Sequence, residues 1–169
     1  DSPSDAQPGW HDEAQGLAHD PDHWFVTQNK GDKTEATLWR IPVSINLATG
    51  VTCNVHGVSC SRLSETGLYP VYDHYGDPDY HEVNGVGYVL IPLEGREAGT
   101  PPGVAIFRAD ETLRFLAFTP FPVQTGAPWV AVDAAGVLYS SNFQSGGLVR
   151  RYRLDWAAWY PWHRVPGRN

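Results

Sequence analysis

Two stretches of the chain, QGLAHDPDHWFVTQN at 15–29 and PWVAVDAAGVLYSSN at 128–142, align without a gap. Asp20 falls on Asp133, His23 on Gly136, and Trp24-Phe25-Val26 on Val137-Leu138-Tyr139. Each reads as a strand, a two- or three-residue turn and a second strand. A third copy, DYHEVNGVGYVLIPL at 79–93, takes the same register, with Gly87 at the turn and Tyr88-Val89-Leu90 opening the second strand; its first half matches less well. Repetition of this kind decides architecture before any single motif does.

The repeat runs on into a third strand, where LWRI (38–41), IFRA (106–109) and RYRL (151–154) each place an aromatic before an arginine: Trp39-Arg40, Phe107-Arg108 and Tyr152-Arg153. After the middle copy, ADETLRFLAFTPF supplies a polar turn and a fourth strand, and DWAAWYPWHRV is placed to do the same after the last. With 17 glycines and 14 prolines spread along the chain and almost no sustained 3.6-residue periodicity, helix is disfavoured. The expectation is a single all-β domain, 1–169, of about three four-stranded units at roughly 10–72, 73–122 and 123–165.

Such units are how β-propeller blades look in sequence, and the hairpin VDAAGVLYSSN resembles the VDxxGxLYVxD turn of the NHL, gluconolactonase and strictosidine-synthase-like propellers. The resemblance covers about two thirds of the chain through short motifs, and it speaks to architecture more than to activity. Rings of this kind hold about 4–8 blades, so three leave the ring open. Completion by a second copy, a partner chain or the rest of a longer precursor is the leading expectation. A self-closing small propeller or barrel, or an open sheet or sandwich, are the alternatives. An open half-ring exposes apolar faces and strand edges that attract other chains.

Composition narrows the partners. A formal charge of -7, from 12 Lys plus Arg against 19 Asp plus Glu, with no basic stripe, argues against nucleic acid. No apolar run approaches the ~20 residues of a membrane span, so the chain reads as soluble. It begins at Asp1 and contains no Met, as a chain does after loss of a leader or where a longer sequence is cut. Cys53 and Cys60 suit a local disulfide; free thiols, or a zinc pair with His56 at a wider spacing than zinc sites prefer, are the other readings. Together these point to secretion.

The charged stretches gain addresses from the repeat. Residues just before the first strand of each unit converge, which places Glu13 and Gln15 with Asp77 and Asp79, while the third unit offers only Gly126 and Pro128. Four hard oxygen donors suit calcium. The resemblance implies the same, since lactonases and phosphotriesterases of that group hold catalytic calcium there. His11 and His74, nearby, would instead suit a transition metal or serve as general bases. The competing reading is that GDPD is a turn whose carboxylates cap backbone N–H groups. Asp20-Pro21-Asp22 reads as a turn only. Finally, Trp156, Trp159 and Trp162 crowd the C-terminal segment, which either packs back as a fourth strand or offers a binding surface for a partner or a carbohydrate.

Two functions follow as expectations. One is a secreted propeller-like binding or assembly module, recognising a ligand or partner at the channel mouth or through the C-terminal aromatics. The other is a calcium-dependent hydrolase of lactonase or esterase type, with a small-molecule substrate.

Overall fold

The computed structural model describes residues 10–29, 36–49, 51–143 and 148–156. They form an all-β protein of three antiparallel sheets, none closed into a barrel or ring. The first sheet holds β1 (Ala14–His19), β2 (His23–Gln28), β3 (Thr37–Pro42) and β4 (Ser59–Arg62) in sequence order. The second holds β5 (Tyr72–Tyr75), β6 (Asp79–Val83), β7 (Val86–Gly95), β8 (Gly103–Arg108) and β9 (Phe115–Pro120). The third holds β10 (Val130–Val132), β11 (Val137–Ser140) and β12 (Arg150–Arg153).

The three hairpins β1–β2, β6–β7 and β10–β11 are the three copies of the repeat, and β3, β8 and β12 are the aromatic-arginine strands. Two details differ from the sequence reading. Trp24 pairs with His19, but Leu138 pairs with Val132 across a turn one residue longer, so the copies slip by one beyond the turn and Trp24 corresponds to Leu138. Gly136, at φ +75°, lies in that longer turn. In the middle copy the turn is Asn84-Gly85, both with left-handed φ, and Gly87 lies within β7. An Asn-Gly pair is the two-residue connection that suits twisted strands.

The strand β5 was not foreseen: Asp73 and His74, expected in a loop, lie in a strand that pairs with the far end of β7 through Tyr72, His74 and Tyr75, Asp73 falling at an irregularity between them; the ten residues of β7 take β6 along the first half and β5 along the second. The expected fourth strand after β12 falls mainly on 157–165, outside the described residues; Trp156 itself is helical.

Each sheet is oriented alike. Trp39 lies in a cluster on the rear of the first sheet, Phe107 in the core between the first and second sheets, and Tyr152 against the core between the second and third. Because side chains alternate along a strand, the neighbouring arginines point to the opposite, front face, where Arg40 pairs Phe25, Arg108 pairs Tyr88 and Arg153 pairs Val137. The front of the first sheet (Ala18, Phe25, Leu38) buries against the rear of the second (Val89, Ile91, Phe107). The front of the second (Tyr88, Leu90, Ile106) buries against the rear of the third (Val130, Leu138).

The rear of the first sheet is closed differently. Val26 and Ile41, flanked by Trp24 and Trp39, are covered by Trp10 and by Ile45, Leu47, Val51 and Val58 from the long β3–β4 connection. Cys53 and Cys60 are bonded to each other, as expected, and tie this cover to β4. No helix among the described residues is long and apolar enough to cross a membrane. Replacing Cys53 by Ser is expected to lower stability by about 2 kcal/mol, the loop-closure value for so short a ring. An unchanged urea midpoint would show that the cover holds without the bond.

Candidate functional site

The stretch from Tyr75 to Asp79 lies where all three sheets meet. Asn29, at the end of β2 and buried, clamps Tyr75 from both sides: its Nδ2 donates to the Tyr75 carbonyl at 2.8 Å and its Oδ1 accepts the Tyr75 N–H at 2.9 Å. The Thr27 hydroxyl donates to the Gly76 carbonyl at 2.9 Å. On the other side, Asp77 N–H donates to the Pro128 carbonyl at 2.9 Å and the Asp77 carbonyl accepts from Val130 N–H at 3.2 Å, a short parallel bridge opposite Trp129.

The two carboxylates extend this joinery. Asp77 Oδ1 accepts from Leu17 N–H in β1 at 3.2 Å. Asp79 Oδ2 accepts from Val132 N–H in β10 at 2.6 Å, and its Oδ1 from Tyr80 N–H at 2.8 Å. Burial pushes the Asp77 carboxyl above its ordinary range; the Leu17 hydrogen bond pulls it back in part, and the Asp79 charge adds to the rise. A metal held by Asp77 would act the other way, favouring the ionised form.

The remaining predicted ligands behave locally. Gln15 sits at a bulge in β1, and its side-chain amide donates to the Glu13 carbonyl at 3.0 Å. Glu13 is exposed with φ +49°, and its carbonyl also accepts from Asn29 N–H at 3.0 Å. Asp77 thus reaches β1 at Leu17, two residues past Gln15, while the Gln15 side chain turns to Glu13. Among the described residues, however, no three or more His, Cys, Asp or Glu are grouped so as to hold a metal ion. His11 lies in the turn before β1, its ring edge-on to Trp10, and half-buried His74 lies in β5 opposite Glu94.

The aspartates of the outer turns are turn formers, as expected for Asp20. Its Oδ1 accepts from the Asp22 and His23 N–H groups at 2.7 and 2.6 Å, and Asp133 Oδ1 accepts from Ala135 and Val137 at 2.9 and 3.0 Å. Trp156 is a packing residue at the end of the third sheet. Its indole donates to the Gly136 carbonyl at 3.0 Å, and its ring lies 4.9 Å from His81 and 5.5 Å from Tyr88. Trp159 and Trp162 lie outside the described residues.

His81 gives a pH prediction. Burial lowers its pKa from 6.5, with Asp79 and Asp133 opposing. The unfolded chain therefore binds the proton first as pH falls, so the stability that neutral His81 contributes is present above pH 6.5 and is lost as pH falls through the folded midpoint. An NMR titration should place the His81 midpoint below 6.5, with Trp156 fluorescence changing in step; a midpoint at or above 6.5 contradicts the burial.

A second feature of functional interest is the front of the third sheet. Ala131, Tyr139 and Arg151 form one cross-strand row and Val137 and Arg153 the next. The Tyr139 hydroxyl donates to Asp133 Oδ2 at 2.9 Å, and Trp129 donates to Ser141 Oγ at 3.0 Å. Where the equivalent faces of the first two sheets are buried, Ala131, Arg151 and Arg153 are exposed and Val137 and Tyr139 only half-buried. Phe143, Leu148 and Val149, flanking β11 and β12, are exposed large apolar side chains.

Sequence reasoning did not single out Asn29, Thr27 or this face. Asn29 had a signal: it closes its copy of the repeat as Asn142 closes the third, and Asn142 Oδ1 likewise accepts backbone N–H groups, those of Thr125 and Gly126 at 3.0 and 3.3 Å. No family model matches the chain, and no curated protein or solved structure matches it.

Proposed function

We propose that this chain is a secreted, propeller-like assembly module, three blades long, that receives a further sheet from another polypeptide on the front of its third sheet. One observation carries the reading. Each sheet presents an arginine-bearing front, two of the three fronts are buried under the next sheet, and the third lies open with Tyr139, Val137 and Trp129 upon it. A half-buried apolar and aromatic sheet face of this kind is a protein-binding surface. The disulfide suits an oxidising compartment. The calcium-dependent hydrolase has less support, because the Asp77 and Asp79 carboxylates already accept backbone N–H groups of neighbouring sheets.

Hydroxyl-radical footprinting tests the reading. In a monomeric fraction Tyr139 and Trp129 should label strongly, and in any assembled fraction they should be protected. If the monomer labels them as weakly as buried Tyr88 and Phe25, the chain's own residues fill the face and the proposal fails.

A further inference from the structure

The described ends of the three-sheet array carry opposite charge. At the third sheet, Arg151 and Arg153 stand on the front of β12 and Arg150 on its other face, with Asp133 engaged by Tyr139 and exposed Asp155 just beyond the strand. At the first sheet, 10–29 contains Asp12, Glu13, Asp20 and Asp22 and no Lys or Arg; the covering connection, 43–58, carries no Asp, Glu, Lys or Arg, and exposed Arg62, opposite Thr37 on the rear row of β4, offsets one of the acidic charges. Asp22 stands next to Val43, whose N–H donates to the Asp22 carbonyl at 2.8 Å. Exposed apolar groups concentrate at the same two ends: Leu17, Val43 and Val55 at the first, Phe143, Leu148 and Val149 at the third.

We infer that the polypeptide completing the array is a second copy of this chain, joined head to tail: the arginine-bearing front of one copy's third sheet meets the acidic, covered rear of the other's first. This rests on the reading of the front face given above. Joining like ends would set the β12 arginines of the two copies against each other, which costs energy, whereas unlike ends bring opposite charges and apolar patches together. A two-fold axis then makes both junctions identical and closes six sheets, so no arginine front is left to recruit a third copy. The chain's own C-terminal segment is a poor substitute occupant, because 157–169 carries His163, Arg164 and Arg168 and no acidic residue.

Two charge-reversed variants test this. One carries Arg151→Glu and Arg153→Glu, the other Asp12→Arg and Asp22→Arg; all four positions are exposed. Native mass spectrometry and sedimentation should find wild type at twice 18.7 kDa. Each variant alone should dissociate at least tenfold more readily, and an equimolar mixture should regain the dimer, because both junctions then join opposite charges. Recovery in the mixture also shows that both variants are folded. A monomer at every concentration, or a dimer indifferent to the reversals, overturns the inference. In a monomer, strong labelling of Tyr139 and Trp129 leaves the front face open for a different partner, whereas protection removes the underlying reading as well.

Discussion

Gly16→Ala should cost about 3 kcal/mol of folding free energy, the upper end of what overpacking a close-packed site costs. A Cβ at this position would lie 2.0 Å from Asp77 Oδ1, 2.5 Å from Asp77 Cα and 2.6 Å from Pro78 Cδ. The carboxylate could swing aside, with loss of its hydrogen bond to Leu17, but the Asp77 Cα could not. Asp77 is held on its far side by Pro128 and Val130, and Pro78 fixes the backbone that follows. The methyl group therefore pushes β1 away from β6, and the Thr27 and Asn29 contacts beside it loosen together. Urea unfolding measures the loss. A change below about 1 kcal/mol would mean that the first and second sheets separate there at little cost, and that the close approach is not a constraint.

Asn29→Ala is the second large effect, expected at about 3 kcal/mol. Two hydrogen bonds disappear and the Tyr75 N–H and carbonyl lose their side-chain partner in a dry interior, at about 1–3 kcal/mol for each unsatisfied group. For a chain of this size such a loss lowers the melting temperature by roughly 10 °C. Asn29→Asp separates clamp from cavity. At neutral pH a carboxylate accepts the Tyr75 N–H but meets the Tyr75 carbonyl with a second acceptor, so stability falls. As pH decreases and the buried acid takes up a proton, it can donate again and part of the loss should return. An Asn29→Asp variant with no such recovery would show that the lost stability does not arise at the carbonyl.

Strands and hairpins were legible in the sequence because the signals that make them are local. The turn aspartates and the aromatic before each arginine sit within a few residues of what they determine, although in the middle copy the turn falls on Asn84-Gly85 and not on Gly87. The orientation of the sheets was latent in the same landmarks, since Trp39, Phe107 and Tyr152 all face rearward. The rest depends on long-range pairing. Nothing near Asp73 and His74 announces that β7 is long enough to take two strands along one edge. Nothing near Asn29 announces Tyr75, 46 residues away.

The candidate site shows the same division. Asp77 and Asp79 were singled out as candidates from the sequence, but a carboxylate attracts a backbone N–H for the same reason that it attracts a cation. Only the three-dimensional position shows that Leu17 and Val132 supply the N–H groups. The exposed residues on the front of the third sheet escaped notice because exposure is a property of what lies opposite, which a strand's own sequence does not record.

The covered rear of the first sheet also bears on how the chain is made. During synthesis the first sheet emerges before β7 and β8 exist, and its front has nothing to pack against until they do. Its rear needs no later residue: Trp10, the β3–β4 connection and the Cys53–Cys60 bond all come from the same first 62 residues. A nascent chain can therefore hide one of its two apolar faces, and oxidise its only cysteine pair, while the remainder is still being polymerised. The face left waiting is the one that the next segment to emerge will cover.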